Sequence, residues 1–448
     1  MVFINFILKL KRGVWMETVT LLLFAAALFC CVLFNLPILY ALVFGYFLFC
    51  FYGLRKGKKA QELLKMSFTG IKTVKNILIV FLLIGMITAL WRAAGTIPAI
   101  ICDSFGLMLP SFFLVITFLL NCLVSFLTGT AFGSAATMGV ITMAIGNAMG
   151  LDPAFLGGAI LSGVYFGDRC SPMSTSALLV SELTKTNLFT NIRKMFFTSL
   201  VPFSISCILY IVLGFTKNSE ANSIGIKEIF ETNFNLSFFT LIPAILILVL
   251  SCFKIPVKIT MSLSILSAVG IAFWIQGLNP TELFHLLIFG YHAQDPVLAK
   301  LIDGGGILSM VNVSAIVCLS SCYAGIFNGT GLLINLKEKI GRLGQKISPY
   351  GSLLCTSIGT SMIACNQTLS IMLTHQLCDE MIPNHQEMAI NLENTVVVLA
   401  PLIPWSIAGG VPLAAVGAPQ ISLLFAFYLY LIPLWNFFKT TYKKRTNQ

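Results

Sequence analysis

The chain has 448 residues, of which 57% are hydrophobic and 10% are charged, and its formal net charge at pH 7 is +11. Soluble domains carry about 25% charged residues, so this composition excludes an ordinary soluble protein. The basic residues cluster in short loops between apolar runs. That placement is typical of membrane proteins, and it makes a nucleic-acid partner unnecessary as an explanation of the charge.

Apolar runs that approach the roughly 20 residues needed to cross a bilayer follow one another along the chain. The clearest runs cover residues 18–34, 38–51, 76–91, 111–127, 198–215, 238–253 and 421–437. Less even runs cover residues 154–164, 259–275, 307–322, 353–373 and 396–411. Together they predict an all-α polytopic membrane protein with about 11 or 12 transmembrane helices, including discontinuous helices or hairpins at the membrane midplane.

A polar stretch at residues 217–235 is the longest between predicted spans. It predicts a linker between an N-terminal transmembrane half, residues 1–216, and a C-terminal half, residues 236–448. Each half contains a Gly-Thr step, at Gly129 and at Gly359, followed by an acidic or amide residue and then a proline. Matching interruptions of this kind predict two repeats that each contribute a discontinuous-helix site.

Lysine and arginine are concentrated at residues 9–12, 55–75, 337–346 and 439–445. The positive-inside rule places such loops in the cytoplasm. We therefore expect a multi-pass membrane protein with both termini in the cytoplasm.

Catalytic and cofactor-binding motifs are missing from the sequence. The thirteen cysteines lack the spacing of a zinc site or of a disulfide framework, and there is no HExxH, GxSxG or Walker A motif. We expect neither enzyme activity nor a bound cofactor, and any transport must be driven by an ion gradient. The expected partners are membrane lipids and a small ion or small organic solute, and a homodimer is left open as the assembly.

The most polar interruption of the apolar pattern lies between residues 128 and 176 and contains Asp168. A carboxylate at membrane depth needs a partner, water or a bound cation. Hydroxyl and carboxylate oxygens suit small alkali cations, so Asp168 is the predicted ligand of a small alkali cation such as Na⁺. The alternative is a short solvated loop at the membrane surface. The flanking hydroxyl residues predicted to assist Asp168 are Ser162, Ser171, Ser174, Thr175 and Ser176. Thr128, Thr130 and Ser134 are further candidate binding residues beside the pair Gly129 and Gly133, for which close helix packing is the alternative.

A second polar group lies in the C-terminal half and consists of Asn366, Gln367, Glu393 and Asn394. Glu393 is its only acid, and we expect a functional carboxylate there rather than a helix cap. Two arginines, Arg92 and Arg169, are candidate partners of an anionic group. For Arg92 the alternative is a side chain that extends to the membrane interface.

Several sequence blocks between about Gly70 and Trp435 together resemble the NhaC family of bacterial Na⁺/H⁺ antiporters. The blocks are Trp91 with GTIP at 95–98, TGTAFG at 128–133, SGVYFGDRCSP at 162–172 and PLIPW at 401–405. The resemblance implies a secondary transporter of the inner membrane that exchanges Na⁺ for H⁺ by alternating access. Some relatives in that family exchange organic anions such as malate and lactate.

Three positions depart from the family pattern. Ser174-Thr175-Ser176 stands where the family has Ser-Asp-Thr, Cys365-Asn366-Gln367 stands where it has Gly-Asp-Gln, and Glu393-Asn394 replaces Glu-Asp. Hydroxyl and amide oxygens bind Na⁺ but carry no titrating proton, which leaves Asp168 and Glu393 as proton carriers. The loss of negative charge also favours an anionic or zwitterionic solute, so a cation-coupled transporter of amino acids or carboxylates is the alternative function.

Overall fold

The computed structural model describes residues 16–17, 19–28, 30–31, 36–104, 110–216, 223–253, 255–295, 298–299, 302–330, 348–364 and 366–446. Within these residues all regular structure is helical, apart from one isolated bridge between Tyr291 and Gly304. The predicted all-α class is therefore confirmed. Cys365 and the predicted basic loops at 9–12 and 337–346 lie outside the described residues.

The α-helices follow one another with short connections. In chain order they are α1 Val19–Leu28, α2 Ile38–Arg55, α3 Ala60–Thr73, α4 Lys75–Ala93, α5 Thr96–Ser104, α6 Pro110–Thr128, α7 Ala131–Ala148, α8 Pro153–Cys170, α9 Thr175–Leu183, α10 Leu188–Thr216, α11 Ser223–Asn233, α12 Ile242–Cys252, α13 Val257–Trp274, α14 Pro280–Phe289, α15 Val311–Thr330, α16 Pro349–Ala364, α17 Gln367–Cys378, α18 His385–Asn394, α19 Val396–Leu399, α20 Ile407–Val416 and α21 Phe427–Thr446. Within α7, residues Ala135–Gly139 form a π-helical turn.

Four helical segments of the described chain are long and apolar enough to cross a membrane, namely Pro110–Thr128, Ala131–Ala148, Leu188–Phe215 and Ile307–Phe327. Two interrupted pairs, Leu78–Ala93 with Thr96–Asp103 and His385–Leu402 with Ile407–Val416, raise this number to six. The predicted total of about 11 or 12 also counts shorter apolar helices and runs that the described residues cover only in part, and that total stays a prediction.

The chain divides into two compact units. Unit 1 comprises Met1–Asn76, Asn312–Ala408 and Gln448, and unit 2 comprises Ile77–Val311 and Gly409–Asn447. The predicted N-terminal and C-terminal halves describe repeats in the sequence, which the division into compact units does not test. The two halves therefore stay a prediction. Of the predicted linker, residues 217–222 lie outside the described part of the chain, and much of the remainder is the helix α11.

Aromatic side chains form the core of unit 1. The ring of Phe49 packs edge-on against Phe24, Tyr323 and Phe327, with ring centroids 5.0, 5.1 and 4.8 Å away. The Tyr323 hydroxyl also donates a hydrogen bond to the Leu42 carbonyl. Rings in this geometry stabilise the core beyond the apolar area that they bury, so α1, α2 and α15 are joined tightly.

Glycine on α8 sets the packing of unit 2. A Cβ added to Gly163 would lie 2.7 Å from the Phe118 carbonyl oxygen, and one added to Gly167 would overlap the backbone nitrogen of Phe126. The Ser125 hydroxyl donates to the Val164 carbonyl across the same contact. Small residues four positions apart let two membrane helices approach backbone to backbone, and this pair brings α8 against α6.

We predict that Gly167→Ala lowers the free energy of unfolding by about 1–3 kcal/mol, because the added methyl group has no space between α8 and α6. The matched control is Gly359→Ala on α16, where an added Cβ meets no atom within 4 Å. That control should be neutral or stabilise by up to about 1 kcal/mol. Thermal unfolding in detergent measures both changes, and equal unfolding temperatures for the two variants would contradict the packing argument.

Candidate functional site

Two helix breaks define the candidate site in unit 2. At the first break, residues 128–130, α6 ends and Gly129 takes a φ of +69°. Thr130 then caps α7, since its hydroxyl oxygen accepts a hydrogen bond from the Gly133 N–H at 2.8 Å. At the second break, residues 171–174, the chain turns between the end of α8 and the start of α9. Both segments therefore interrupt helices inside an apolar bundle, as the sequence predicts.

The two breaks touch each other. A Cβ on Gly129 would lie 2.5 Å from the carbonyl carbon of Met173 and 2.6 Å from its oxygen. Because φ is also positive there, both the conformation and the close contact require glycine. The first and second breaks are thus held backbone to backbone.

Asp168 lies beside the second break and is 5% exposed. Its Oδ2 accepts a hydrogen bond from the Ser176 hydroxyl at 2.9 Å, and its Oδ1 accepts one from the Ser174 hydroxyl at 3.4 Å. The two serine oxygens are 2.8 Å apart. The structure therefore brings together the predicted carboxylate and two of its predicted hydroxyl partners, in a group that we call the Asp168 cluster.

The start of α9 adds favourable electrostatics to this cluster. The Ser174 oxygen accepts hydrogen bonds from the backbone N–H groups of Ser176 and Ala177 at 3.2 and 3.3 Å, so Ser174 caps the helix. The N-terminal end of a helix carries partial positive charge. Asp168 itself lies in the last turn of α8, where the helix end disfavours negative charge, so the serine donors and the start of α9 offset that cost.

The other predicted hydroxyls occupy different places around the breaks. Thr128 and Ser134 pair at 2.8 Å across the first break. The buried Ser171 oxygen accepts from the Met173 N–H at 3.1 Å and shapes the turn. Thr175 is exposed in the first turn of α9, whereas its neighbours Ser174 and Ser176 are buried beside the Asp168 carboxylate. Ion binding by these residues stays a prediction.

Arg169 is fully buried on a different side of α8. Its guanidinium donates to the Thr198 hydroxyl at 3.0 Å, to the Tyr428 hydroxyl at 3.3 Å and to the Ser199 hydroxyl. These contacts connect α8 to α10 and α21. They favour a structural anchor over the predicted partner of a transported anion.

Arg92 lies at the end of α4, one helical turn beyond Thr88, whose carbonyl accepts a hydrogen bond from its guanidinium. It lines a cavity of about 220 Å³ that Asp303 also lines. Arg92 therefore borders a cavity, whereas the guanidinium of Arg169 is surrounded by hydroxyl groups of neighbouring helices.

The second predicted group lies in unit 1. Glu393 is fully buried and Asn394 is 1% exposed. Gln367 donates to the Val397 carbonyl at 3.0 Å, and the Asn366 side chain accepts from the Thr368 N–H at 2.9 Å and so caps α17. The structure places these four residues in a different compact unit from the Asp168 cluster, and their role in binding stays a prediction.

Sequence reasoning missed a buried polar row on α6. Thr117, Asn121 and Ser125 are fully buried, and the Asn121 amide donates to the Thr142 hydroxyl of α7 at 3.1 Å. Their spacing of four residues puts them on one helix face. Polar residues repeated every four positions in an otherwise apolar segment are a signal from which this row could have been predicted. No pattern in the nearby sequence points to Ser199 and Tyr428 as the partners of Arg169.

The described residues contain no group of three or more His, Cys, Asp and Glu side chains placed to hold a metal ion. The Asp168 cluster offers a different ligand set, one carboxylate with neighbouring hydroxyl oxygens. Such hard oxygen ligands suit alkali cations better than transition metals.

Comparison with known proteins identifies the family of the chain. The Na⁺/H⁺ antiporter family model matches residues 163–437. This range contains the Asp168 cluster and the second predicted group in unit 1, namely Asn366, Gln367, Glu393 and Asn394. The chain is 28% identical over 381 residues to the Na⁺/H⁺ antiporter NhaC of Alkalihalophilus pseudofirmus, covering 81% of each chain.

Two further relatives carry names with organic substrates. The chain is 26% identical over 407 residues to the malate-2H⁺/Na⁺-lactate antiporter of Bacillus subtilis, covering 87% of this chain and 86% of that one. It is 28% identical over 360 residues to the arginine/ornithine antiporter ArcD of Halobacterium salinarum, covering 77% and 74%. The resemblance found in the sequence blocks is confirmed, and this multi-pass membrane protein belongs to the Na⁺/H⁺ antiporter family.

Proposed function

We propose that the protein is a secondary antiporter that exchanges Na⁺ for H⁺ by alternating access, with Asp168 as the group that binds either ion. The observation that carries the proposal is the Asp168 cluster, a buried carboxylate that accepts hydrogen bonds from Ser174 and Ser176 beside two touching helix breaks. Broken helices of this kind line ion sites in secondary transporters. Membership of the Na⁺/H⁺ antiporter family supports the same reading.

Competition between the two ions follows from burial. A carboxylate in a medium of low dielectric constant is stable when it is protonated or when a cation is bound, and both ions need the same oxygens. The hydroxyls of Ser174 and Ser176 suit both states, because a hydroxyl group carries one proton and two lone pairs and can rotate. They donate to the carboxylate without Na⁺, and they turn their lone pairs to Na⁺ when it binds.

The proposed location is the bacterial inner membrane with both termini in the cytoplasm. The support is the basic sequence at the end of α21, with Lys439 followed by Lys443, Lys444 and Arg445. Basic residues within a few positions of a membrane-spanning end favour the cytoplasmic side.

We predict that Asp168→Asn abolishes Na⁺-dependent proton flux, because an amide oxygen neither titrates nor carries negative charge. Purified protein in proteoliposomes, with an imposed pH gradient read by a pH-sensitive dye, should dissipate the gradient when Na⁺ is added. The control is Asp379→Asn, which removes a carboxylate that is 52% exposed and should leave the flux unchanged. No Na⁺-dependent flux in the unaltered protein, or full flux in Asp168→Asn, would overturn the proposed function.

The Ser176 hydroxyl should contribute less than the carboxylate. We expect Ser176→Ala to raise the half-saturating Na⁺ concentration about threefold to tenfold, as for the loss of one hydrogen-bonding group. The exposed Ser204, whose hydroxyl bonds back to the Leu200 carbonyl of its own helix, provides the matched control Ser204→Ala. Equal Na⁺ dependence of the two serine variants would remove Ser176 from the site.

Arg169→Lys separates an anchoring role from a role in transport. Lysine lacks the planar fork that reaches Thr198, Ser199 and Tyr428 together, so we expect a loss of about 1–3 kcal/mol in the free energy of unfolding. The half-saturating Na⁺ concentration should stay within about twofold of the unaltered value. Arg193→Lys, at an exposed position of α10, is the control, and a changed Na⁺ dependence with unchanged stability would contradict the anchor.

A further inference from the structure

A second charged site of unit 2 lies where α4 and α5 meet. The two helices are bent by 63° at Ala94-Gly95, and Arg92 stands just before the bend. Beside it is the cavity of about 220 Å³. Its polar lining residues are Thr88, Arg92, Asn147, Asp303 and Ser309. Its other walls come mainly from apolar side chains, including Val140 and Met143 of α7.

Three consecutive glycines bring Asp303 to this cavity. Gly304, Gly305 and Gly306 have φ values of +128°, +81° and +82°, which side chains other than glycine rarely adopt. The Gly306 N–H donates to the Gly85 carbonyl at 2.7 Å. A Cβ on Gly305 would lie 2.5 Å from the Ala89 nitrogen. The loop backbone therefore lies directly on α4, one to two turns before Arg92.

The two charges are positioned separately. Asp303 is held by the Ala293 N–H at 2.8 Å on one oxygen and by His292 Nδ1 at 3.3 Å on the other. The Arg92 guanidinium bonds back to the Thr88 carbonyl, and its buried Nε has no hydrogen-bond partner in the described part of the chain. Asp303 attracts Arg92 electrostatically, yet the ion pairs found among the described residues do not include a direct contact of the two.

We propose that this cavity binds a small zwitterion, whose carboxylate contacts Arg92 and whose ammonium group contacts Asp303. This site goes beyond the proposed Na⁺/H⁺ exchange and does not depend on ion binding at Asp168.

A zwitterion fits the fixed charges better than a singly charged solute does. A simple carboxylate would gain Arg92 but would also face the negative charge of Asp303, and a simple ammonium ion would face Arg92. Discrimination by such repulsion is a general source of specificity. The size also fits, since 220 Å³ compares with about 30 Å³ for one water molecule in the liquid, which leaves room for several non-hydrogen atoms.

The test uses three solutes that differ by one charged group. Alanine is the zwitterion, lactate has a hydroxyl in place of the ammonium group, and alaninol has a hydroxymethyl in place of the carboxylate. Glycine, leucine and γ-aminobutyrate extend the zwitterion series over size. Calorimetric titration of the purified full chain in detergent should show binding of at least one zwitterion, and weaker binding of the singly charged analogues by about tenfold or more.

Single-charge variants assign the contacts. Arg92→Gln and Asp303→Asn should each weaken zwitterion binding about tenfold or more. Arg92→Gln should shift the remaining preference towards alaninol, and Asp303→Asn should shift it towards lactate. The controls Arg193→Gln and Asp379→Asn remove the same charges at exposed positions and should bind as the unaltered protein does.

Each other outcome overturns the assignment. Binding of no zwitterion in the series up to about 10 mM, or unchanged binding by both cavity variants, would remove the site. Lactate binding equal to alanine binding, insensitive to Asp303→Asn, would show a carboxylate site instead. Arg92→Lys keeps the positive charge and tests whether the charge alone suffices for binding. The unfolding temperature of every variant shows whether weaker binding results from a lost contact or from a less stable fold. Na⁺-dependent proton flux measured without any organic solute reports independently on the Asp168 cluster.

Discussion

A carboxylate inside an apolar helical bundle is stable only where hydrogen-bond donors or a cation replace the water around it. Asp168 obtains donors from Ser174 and Ser176, which lie six and eight positions further along the chain. In one continuous helix a residue eight positions ahead would stand about 12 Å along the axis, out of reach of the carboxylate. The break after Cys170 is therefore what allows the serines to turn back onto Asp168, and the start of α9 then adds its dipole to the same place.

The break in turn depends on close backbone packing. Met173 at the second break lies against Gly129 at the first, and Gly163 and Gly167 hold α8 against α6 just before it. Arg169 follows Asp168 by one residue, so its side chain points about 100° further round the helix. Its bonds to α10 and α21 anchor α8 among its neighbours, whereas the carboxylate takes its hydrogen bonds from Ser174 and Ser176 at the start of α9. Two adjacent residues of α8 thus serve stability and ion binding through separate contacts.

Local patterns led to the predicted site residues that the structure brings together. Asp168, Ser174 and Ser176 are close in sequence, and Gly129 and Pro172 marked the breaks between apolar runs. Thr175 shared the same local pattern yet is exposed, because a helical turn points neighbouring residues in different directions.

Contacts between distant segments escaped sequence reasoning. The acceptors around Arg169 come from α10 and α21, and neither helix carries a pattern that points to it. Asp303 reaches the Arg92 cavity only because three glycines with positive φ let a loop lie on α4.

The helix α7 runs from the first break to the Arg92 cavity. Thr130 caps it and Ser134 lies in its first turn, and its later turns supply Val140, Met143 and Asn147 to the cavity. The π-helical turn Ala135–Gly139 lies between them, and such turns are frequent at functional sites because their wider hydrogen bonding allows local rearrangement. A zwitterion adds no net charge, so any effect on an ion at Asp168 would act through conformation, for which α7 is one path, rather than through long-range electrostatics. Linkage then requires reciprocity: the factor by which Na⁺ changes zwitterion affinity equals the factor by which the zwitterion changes Na⁺ affinity.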